Sequence, residues 1–192
     1  MALKVIEYGN PILKKLSKKV TNFDRELQSF IHSLLYTMKV EEGIGLAAPQ
    51  VGDLRKVCVV DVTPCLHGEM PVKTCKLDSR NIPADIIMPL TMINPTYQSK
   101  SKHTVRYEEG CLSIPGVNAT VERPVLITVS YQDSSGNNHQ IECDGILSRC
   151  IQHEIDHLDG KLFIEYLTSR ELEKHRTKLK KLRRASRDKS KN

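Results

Sequence analysis

Apolar positions recur along this chain with two different periods, and they place helices at its two ends and strands between them. Leu27, Phe30, Ile31, Leu34, Leu35 and Met38 repeat at the spacing of one helical face, which predicts a helix over residues 23–40. Thr21 and Asp24 have the arrangement of a capping box at its start, with the shorter acid in place of glutamate. Asn10-Pro11 opens a short turn or helix through Leu16, because proline suits a first helical position. Residues 57–62 read as a buried strand, and 92–97 and 104–107 as further strands, with Pro95 favouring an edge or a strand start for the former. Residues 125–131 and 139–143 flank Asp133-Ser-Ser-Gly-Asn137, the composition of a hairpin loop. Helical spacing returns from about Asp144 to Gly160. It returns again from about Thr168, where Thr168 and Glu171 form a capping box and Leu172, Leu179 and Leu182 follow before the helix frays. The expected class is α+β: antiparallel sheets around a central helix, with an N-terminal and a C-terminal helix.

Composition narrows this picture. A chain of 192 residues with 39% hydrophobic content buries one sizeable core, so residues 1–192 are read as a single domain. Between Thr63 and Pro89 the periodicity dissolves among four prolines, Gly68 and scattered charge, so 63–89 is expected to be an irregular surface insertion. No run approaches the ~20 apolar residues of a membrane span. The first residues lack the apolar core of a signal peptide, so a soluble, cytoplasmic protein without a membrane partner is expected.

The six cysteines stand singly, without Cys-x-x-Cys, and read as thiols, most of them small buried apolar residues. Cys65, Cys75 and His67, all in the irregular stretch, match no familiar metal spacing. Charge is uneven. Between Arg170 and Asn192 eleven Lys or Arg face three Asp or Glu, leaving +8 there and −2 elsewhere within a total of +6. The basic helix and tail, 169–192, read either as a solvated helix end or as a surface for salt-sensitive phosphate contacts, with no sequence-specific reading of nucleic acid.

Chemistry concentrates in Cys150-Ile-Gln-His-Glu-Ile-Asp-His157, which holds His-Glu-x-x-His. Four residues along a helix bring the chain slightly more than one turn round, so His153 and His157 aim at one point. Glu154, about 100° away, stands beside a metal's open position and can take a proton from water. A catalytic site normally needs a third protein ligand. The long zincin pattern would put a histidine at position 163, which is Phe. A thermolysin-like site would use a later glutamate, and Glu165, Glu171 and Glu173 are available. The better candidate is Cys111, in Glu108-Glu-Gly-Cys-Leu-Ser-Ile-Pro-Gly116, where glycine before it and proline and glycine after it can hold a thiolate toward the helix.

Taken together, Gly43-Ile-Gly-Leu-Ala-Ala-Pro-Gln50, Glu109-Gly-Cys-Leu-Ser113 and His153-Glu-Ile-Asp-His157 resemble the three signature motifs of peptide deformylases, in that family's order. The resemblance runs from Asn10-Pro11 to the last helix. The first motif also fits a dinucleotide-binding pattern, but a helix precedes it where that pattern requires a strand, and proline follows where a helix should start. The resemblance implies a hydrolase that removes the formyl group from the initiator methionine of nascent polypeptides and releases formate. It implies one divalent metal held by Cys111, His153 and His157, ferrous iron by preference, with zinc, nickel or cobalt able to take its place in purified protein. Glu154 would then be general base and acid, with the Gln50 amide and the Leu112 N–H stabilising the oxyanion and Gly45 allowing close backbone approach. Ile44, Tyr107, Ile146, the stem of Arg149 and Cys150 would wall a methionine pocket. Arg123 and Pro124 would be structural. The implied partners are N-formyl-methionyl nascent peptides and, through the basic tail, the ribosome. A catalytically silent metal-binding or ribosome-binding protein is the alternative of a different class.

Overall fold

A computed structural model describes residues 1–189, with side chains to residue 186. The last three residues of the basic tail fall outside the described residues. Among the described residues, nine strands form two antiparallel sheets. The larger contains β1 (Gly45–Ala47), β2 (Val57–Val60), β3 (Cys75–Leu77), β4 (Arg80–Asn81), β5 (Leu90–Lys100), β8 (Ile127–Gln132) and β9 (Asn138–Cys143), in the order β1-β2-β5-β8-β9-β3-β4. The smaller pairs β6 (Thr104–Glu109) with β7 (Ala119–Pro124). Helices α1 (Arg25–Val40), α2 (Gly145–Leu158) and α3 (Ser169–Lys189) complete the expected α+β arrangement.

The larger sheet lies between two helices, and β2 shows why its four residues are all apolar. Successive side chains of a strand point to opposite faces. Val57 and Val59 meet Leu27, Ile31, Leu34 and Met38 of α1, whereas Cys58 and Val60 meet Ile146, Leu147, Ile151 and Ile155 of α2. A third cluster joins Leu13, Ile114, Val121, Phe163 and Ile164 to Leu179 and Leu182 of α3. Because Ile114 belongs to that cluster, the loop carrying Cys111 rests on a packed base.

Several local expectations change. Asp24 caps α1 itself, accepting the Leu27 N–H at 2.9 Å, so the helix starts two residues later than expected and Thr21 lies outside the cap. Pro95 sits in the interior of β5, which pairs with both β2 and β8. It is tolerated because the register shifts between Ile93 and Thr96, and at a bulge a missing N–H costs no ladder bond. Asn94, at φ 53°, holds that bulge by bonding both backbone groups of Val20. The irregular stretch 63–89 is not wholly outside the sheet, since it supplies β3 and β4 to one edge. The capping box of α3 forms as expected, with Glu171 accepting from Thr168 and Thr168 from the Glu171 N–H. The helix runs to Lys189 among the described residues, and Leu172 is exposed while Leu179 and Leu182 are buried.

Candidate metal centre

Helix α2 is the element that positions the site. Asp144 precedes it, and its side chain accepts the N–H groups of Lys73 and Thr74. Gly160, at φ 70°, ends it against the Lys14 carbonyl, where a Cβ would lie 2.6 Å from that oxygen. Every residue from Ile146 to Leu158 is buried, including seven that are polar or charged: Ser148, Arg149, Gln152, His153, Glu154, Asp156 and His157. Burial of that kind demands partners.

Those partners form a connected network around Glu109, which is 7% exposed. Its carboxylate accepts from Nε and Nη2 of Arg123, from Nη1 of Arg149 and from Nδ1 of His153, the last at 2.9 Å. Arg123 also donates to Asp156 at 2.7 Å, and Asp156 accepts the Tyr166 hydroxyl at 3.0 Å. Burial alone would raise the Glu109 pKa. The bonds from His153 and Arg123 outweigh it and hold the carboxyl well below its usual range. Burial pulls the Arg149 guanidinium down, while Arg123, closer to two carboxylates, is held up.

A hydrogen bond from Nδ1–H of His153 leaves its Nε2 lone pair aimed at the far side. There, Nε2 of His153 and Nε2 of His157 lie 3.2 Å apart, Sγ of Cys111 is 3.3 Å from Nε2 of His157, and the three donor atoms lie within 4.8 Å of one another. A four-coordinate ion with bonds of about 2.0–2.1 Å to nitrogen and about 2.3 Å to sulfur spaces two nitrogens about 3.4 Å apart and nitrogen from sulfur about 3.6 Å. The His153–His157 and Cys111–His157 separations therefore stand within a few tenths of an ångström of that spacing. Electrostatics agree. Burial holds the His157 imidazole neutral, its pKa well below the ordinary value. For His153 the opposing effect of burial is outweighed by Cys111 and Glu109, which raise its pKa, so the site favours a positive charge at this point.

Glu154 is 3% exposed, and its Oε2 has no hydrogen-bond partner among the described residues. Burial pushes its pKa up to about 7, with His153 opposing. Gly45 explains how a carboxylate fits here: a Cβ on that residue would strike Oε1 of Glu154 and come within 2.8 Å of Sγ of Cys150. Gln50 is anchored by accepting the Ala47 N–H at 2.8 Å, and its amide nitrogen donates to the Ser113 hydroxyl at 3.2 Å and faces Sγ of Cys111 at 3.6 Å.

These groups open onto a pocket of about 480 Å³, lined among others by Ile44, Gly45, Gln50, Cys111, Leu112, Ile146, Arg149, Cys150, His153 and Glu154. Tyr107, expected as a wall, is not among its lining residues; its ring stands 5.7 Å from the Arg149 guanidinium carbon. A larger depression of about 730 Å³, between Asn94, Ser130 and His139, is lined by amides and hydroxyls together with Lys19, Lys56, Asp78 and His139, and among the described residues it holds no convergent set of metal donors. The later glutamates are engaged elsewhere: Glu165 with Lys14 and the Leu162 N–H, Glu171 with Thr168 and Arg106, Glu173 with Arg176.

Glu109, Asp156 and Ser113 carry no role in the sequence reading, although all three fall within the motifs. The available signal was that Glu109 and Asp156 are charged residues at positions that a strand end and a central helix would bury. Arg123, read as structural, is the link between them.

A buried histidine pair on a helix, a cysteine facing it and a lone carboxylate in a pocket define a metal-dependent hydrolase. Residues 2–173 match the family model described as polypeptide deformylase. A peptide deformylase of Opitutus terrae is 43% identical over 166 residues, covering 86% of this chain and 84% of that one. One of Novosphingobium aromaticivorans is 39% identical over 189 residues, 97% of this chain and 100% of that one. A crystal structure of peptide deformylase from Plasmodium falciparum superposes with a TM-score of 0.81 at 34% identity, covering 96% of this chain and 98% of that one. The chain belongs to the polypeptide deformylase family. Its reaction is the hydrolytic removal of the N-formyl group from the initiator methionine of nascent polypeptides, with release of formate.

Proposed function

We propose that Cys111, His153 and His157 hold one divalent ion, ferrous iron in the cell, and that Glu154 transfers the protons of formamide hydrolysis. The observation that carries this reading is the convergence of three donor atoms beside a buried carboxylate oxygen without a partner. When bound, such an ion acidifies a water and polarises the formyl carbonyl. Glu154 takes the proton of the attacking water on Oε2 and returns it to the leaving amine, a cycle suited to a carboxyl whose pKa is raised by burial. The Gln50 amide, fixed by Ala47 and Ser113, and the backbone N–H of Leu112 stabilise the oxyanion. Gly45 admits the peptide backbone close to Glu154. Ile44, Ile146, Cys150 and the stem of Arg149 hold the methionine side chain.

Ferrous iron follows from the resemblance, and a Cys, His, His donor set suits iron, zinc, cobalt and nickel alike. Anaerobically purified protein should release formate from formyl-Met peptides, and Glu154→Ala should abolish this while retaining the metal. Absence of formate release from iron-loaded protein overturns the reading. Cys111→Ser should lose both metal and activity, and retention of both overturns the ligand assignment.

We also propose that the protein is cytoplasmic and that the basic face of α3 holds it near the ribosome. No helix of the described residues is long and apolar enough to cross a membrane. Lys180, Lys181 and Arg184 are exposed on α3. Co-sedimentation with ribosomes should weaken steeply with salt and be lost when residues after Leu167 are removed. Unchanged binding of the truncated chain overturns the docking role.

A further inference from the structure

Outside the metal centre, two cysteines meet in a way that their distant sequence positions conceal. Cys75 on β3 and Cys143 on β9 are direct register partners in the antiparallel ladder. The N–H of Asp144 donates to the carbonyl of Thr74, and the N–H of Asp78 to that of Gln140, so pairs 74/144 and 78/140 are hydrogen-bonded positions. Hydrogen-bonded and non-hydrogen-bonded pairs alternate, which makes 75/143 a non-hydrogen-bonded pair. In such a pair the Cα atoms stand about 4.5 Å apart and the side chains share one face. Both thiols belong to the same core cluster, with Cys143 fully buried and Cys75 8% exposed at the sheet edge.

We propose that Cys75 and Cys143 form a reversible dithiol–disulfide site that takes a low-molecular-weight disulfide, such as glutathione disulfide, as its oxidant. A Cα separation of about 4.5 Å falls at the short end of the 4.4–6.8 Å range that disulfides span, so the bond forms without backbone rearrangement, but under strain. Strained disulfides are the readily reduced ones, which fits a switch better than a permanent staple.

The exchange is balanced. Cys75 gives its proton to solvent and its sulfur attacks one sulfur of glutathione disulfide, displacing the first glutathione. The Cys143 sulfur then attacks the Cys75 sulfur, loses its proton and displaces the second glutathione. Two protein thiols are oxidised, and one glutathione disulfide is reduced to two glutathione thiols. Access is through Cys75, because β3 has three residues and is covered only by the two-residue β4. Burial raises both thiols, so exchange waits on opening of that edge.

The bond would act where the stretch 63–89 grips the start of α2. Met70 accepts the Ile146 N–H at 3.0 Å, and Asp144 receives the N–H groups of Lys73 and Thr74, immediately before Cys75. A link between 75 and 143 therefore closes that grip covalently without touching Cys111 or the histidines.

The test equilibrates the full-length, metal-loaded enzyme in glutathione buffers of rising oxidation, followed by acid quenching, alkylation and peptide mass mapping. The expected product joins the peptides of Cys75 and Cys143, with a mass lower by two hydrogens, and reverts with dithiothreitol. Limited proteolysis within residues 63–89 should slow by about tenfold in the oxidised form. Cys75→Ser should remove both effects and leave formate release unchanged. Recovery of Cys75 and Cys143 as separate alkylated or glutathionylated residues overturns the proposal, as does a 75–143 link that appears only after denaturation.

Discussion

Oε2 of Glu109 lies 2.9 Å from Nδ1 of His153, and the same carboxylate is clasped by the buried guanidinium groups of Arg123 and Arg149. One residue thereby sets the tautomer of a proposed ligand histidine and, together with Asp156 on Arg123, balances two buried cations. Glu109→Gln should weaken metal binding by about 10–100-fold, the usual effect of losing a carboxylate behind a ligand histidine. It should also destabilise the fold by roughly 3–5 kcal/mol, because a buried ion pair is broken with its cations left in place. Metal titration by competition and denaturant unfolding measure the two effects separately. Wild-type affinity in the variant would show that His153 is oriented by other means.

Gly45 makes a different prediction, because any β-carbon there collides with Oε1 of Glu154. In Gly45→Ala the carboxylate must swing away while the three metal donors stay where they are. Activity should drop by about two orders of magnitude or more, the effect of displacing a reacting group by an ångström. Metal content and melting temperature should change little. Loss of metal in this variant would mean that the β1 strand, and not the carboxylate alone, had moved.

The start of β9 carries a pH-sensitive clip. Nδ1 of His139 lies 2.8 Å from Asp78 and Nε2 lies 3.4 Å from Asp133. The bond to Asp78 raises the His139 pKa above its ordinary 6.5, against burial and with help from Asp133. His139 in turn lowers Asp78 from 3.8. A raised folded-state histidine stabilises fully below 6.5 and loses this as pH rises through its folded value; a lowered carboxylate stabilises above 3.8 and loses this as pH falls. The contribution is therefore greatest between those limits. His139→Gln should lower stability by less than about 1 kcal/mol, since the groups are partly exposed. The difference from wild type should be largest near pH 5.5 and vanish toward pH 9. A difference that does not vary with pH would show that the ring packs but does not pair.

The core of the site was readable because its chemistry is written in short-range spacing. His153, Glu154 and His157 are one helical turn of sequence, and a helix of that length has few other ways to place them. Cys111 becomes a candidate through the turn residues around it, and Gln50 only through the combined motifs. What stayed hidden depends on long-range pairing. Nothing local says that Pro95 sits beside a bulge, that Cys75-Lys-Leu77 finds β9 across more than sixty residues of chain, or that Arg123 reaches Glu109. Tyr107 shows a related limit: alternation tells which face a strand residue takes, but not which long side chain from a neighbouring element lies beside it, as the Arg149 guanidinium does here.

Burial of α2 on every side also governs how the metal comes and goes. His157 is 1% exposed and does not line the pocket, whereas Cys111 and His153 do, so among the described residues the donors open onto the cavity proposed to take the formyl-methionine. Chelator and peptide must then queue at the same doorway. Metal extraction should slow in proportion to occupancy of the pocket by a non-hydrolysable methionyl analogue, with the half-maximal effect at the analogue's dissociation constant. Extraction rates unaffected by saturating analogue would reveal a second way out. If the rates do track occupancy, a working enzyme amid abundant substrate keeps its ion longer than an idle one.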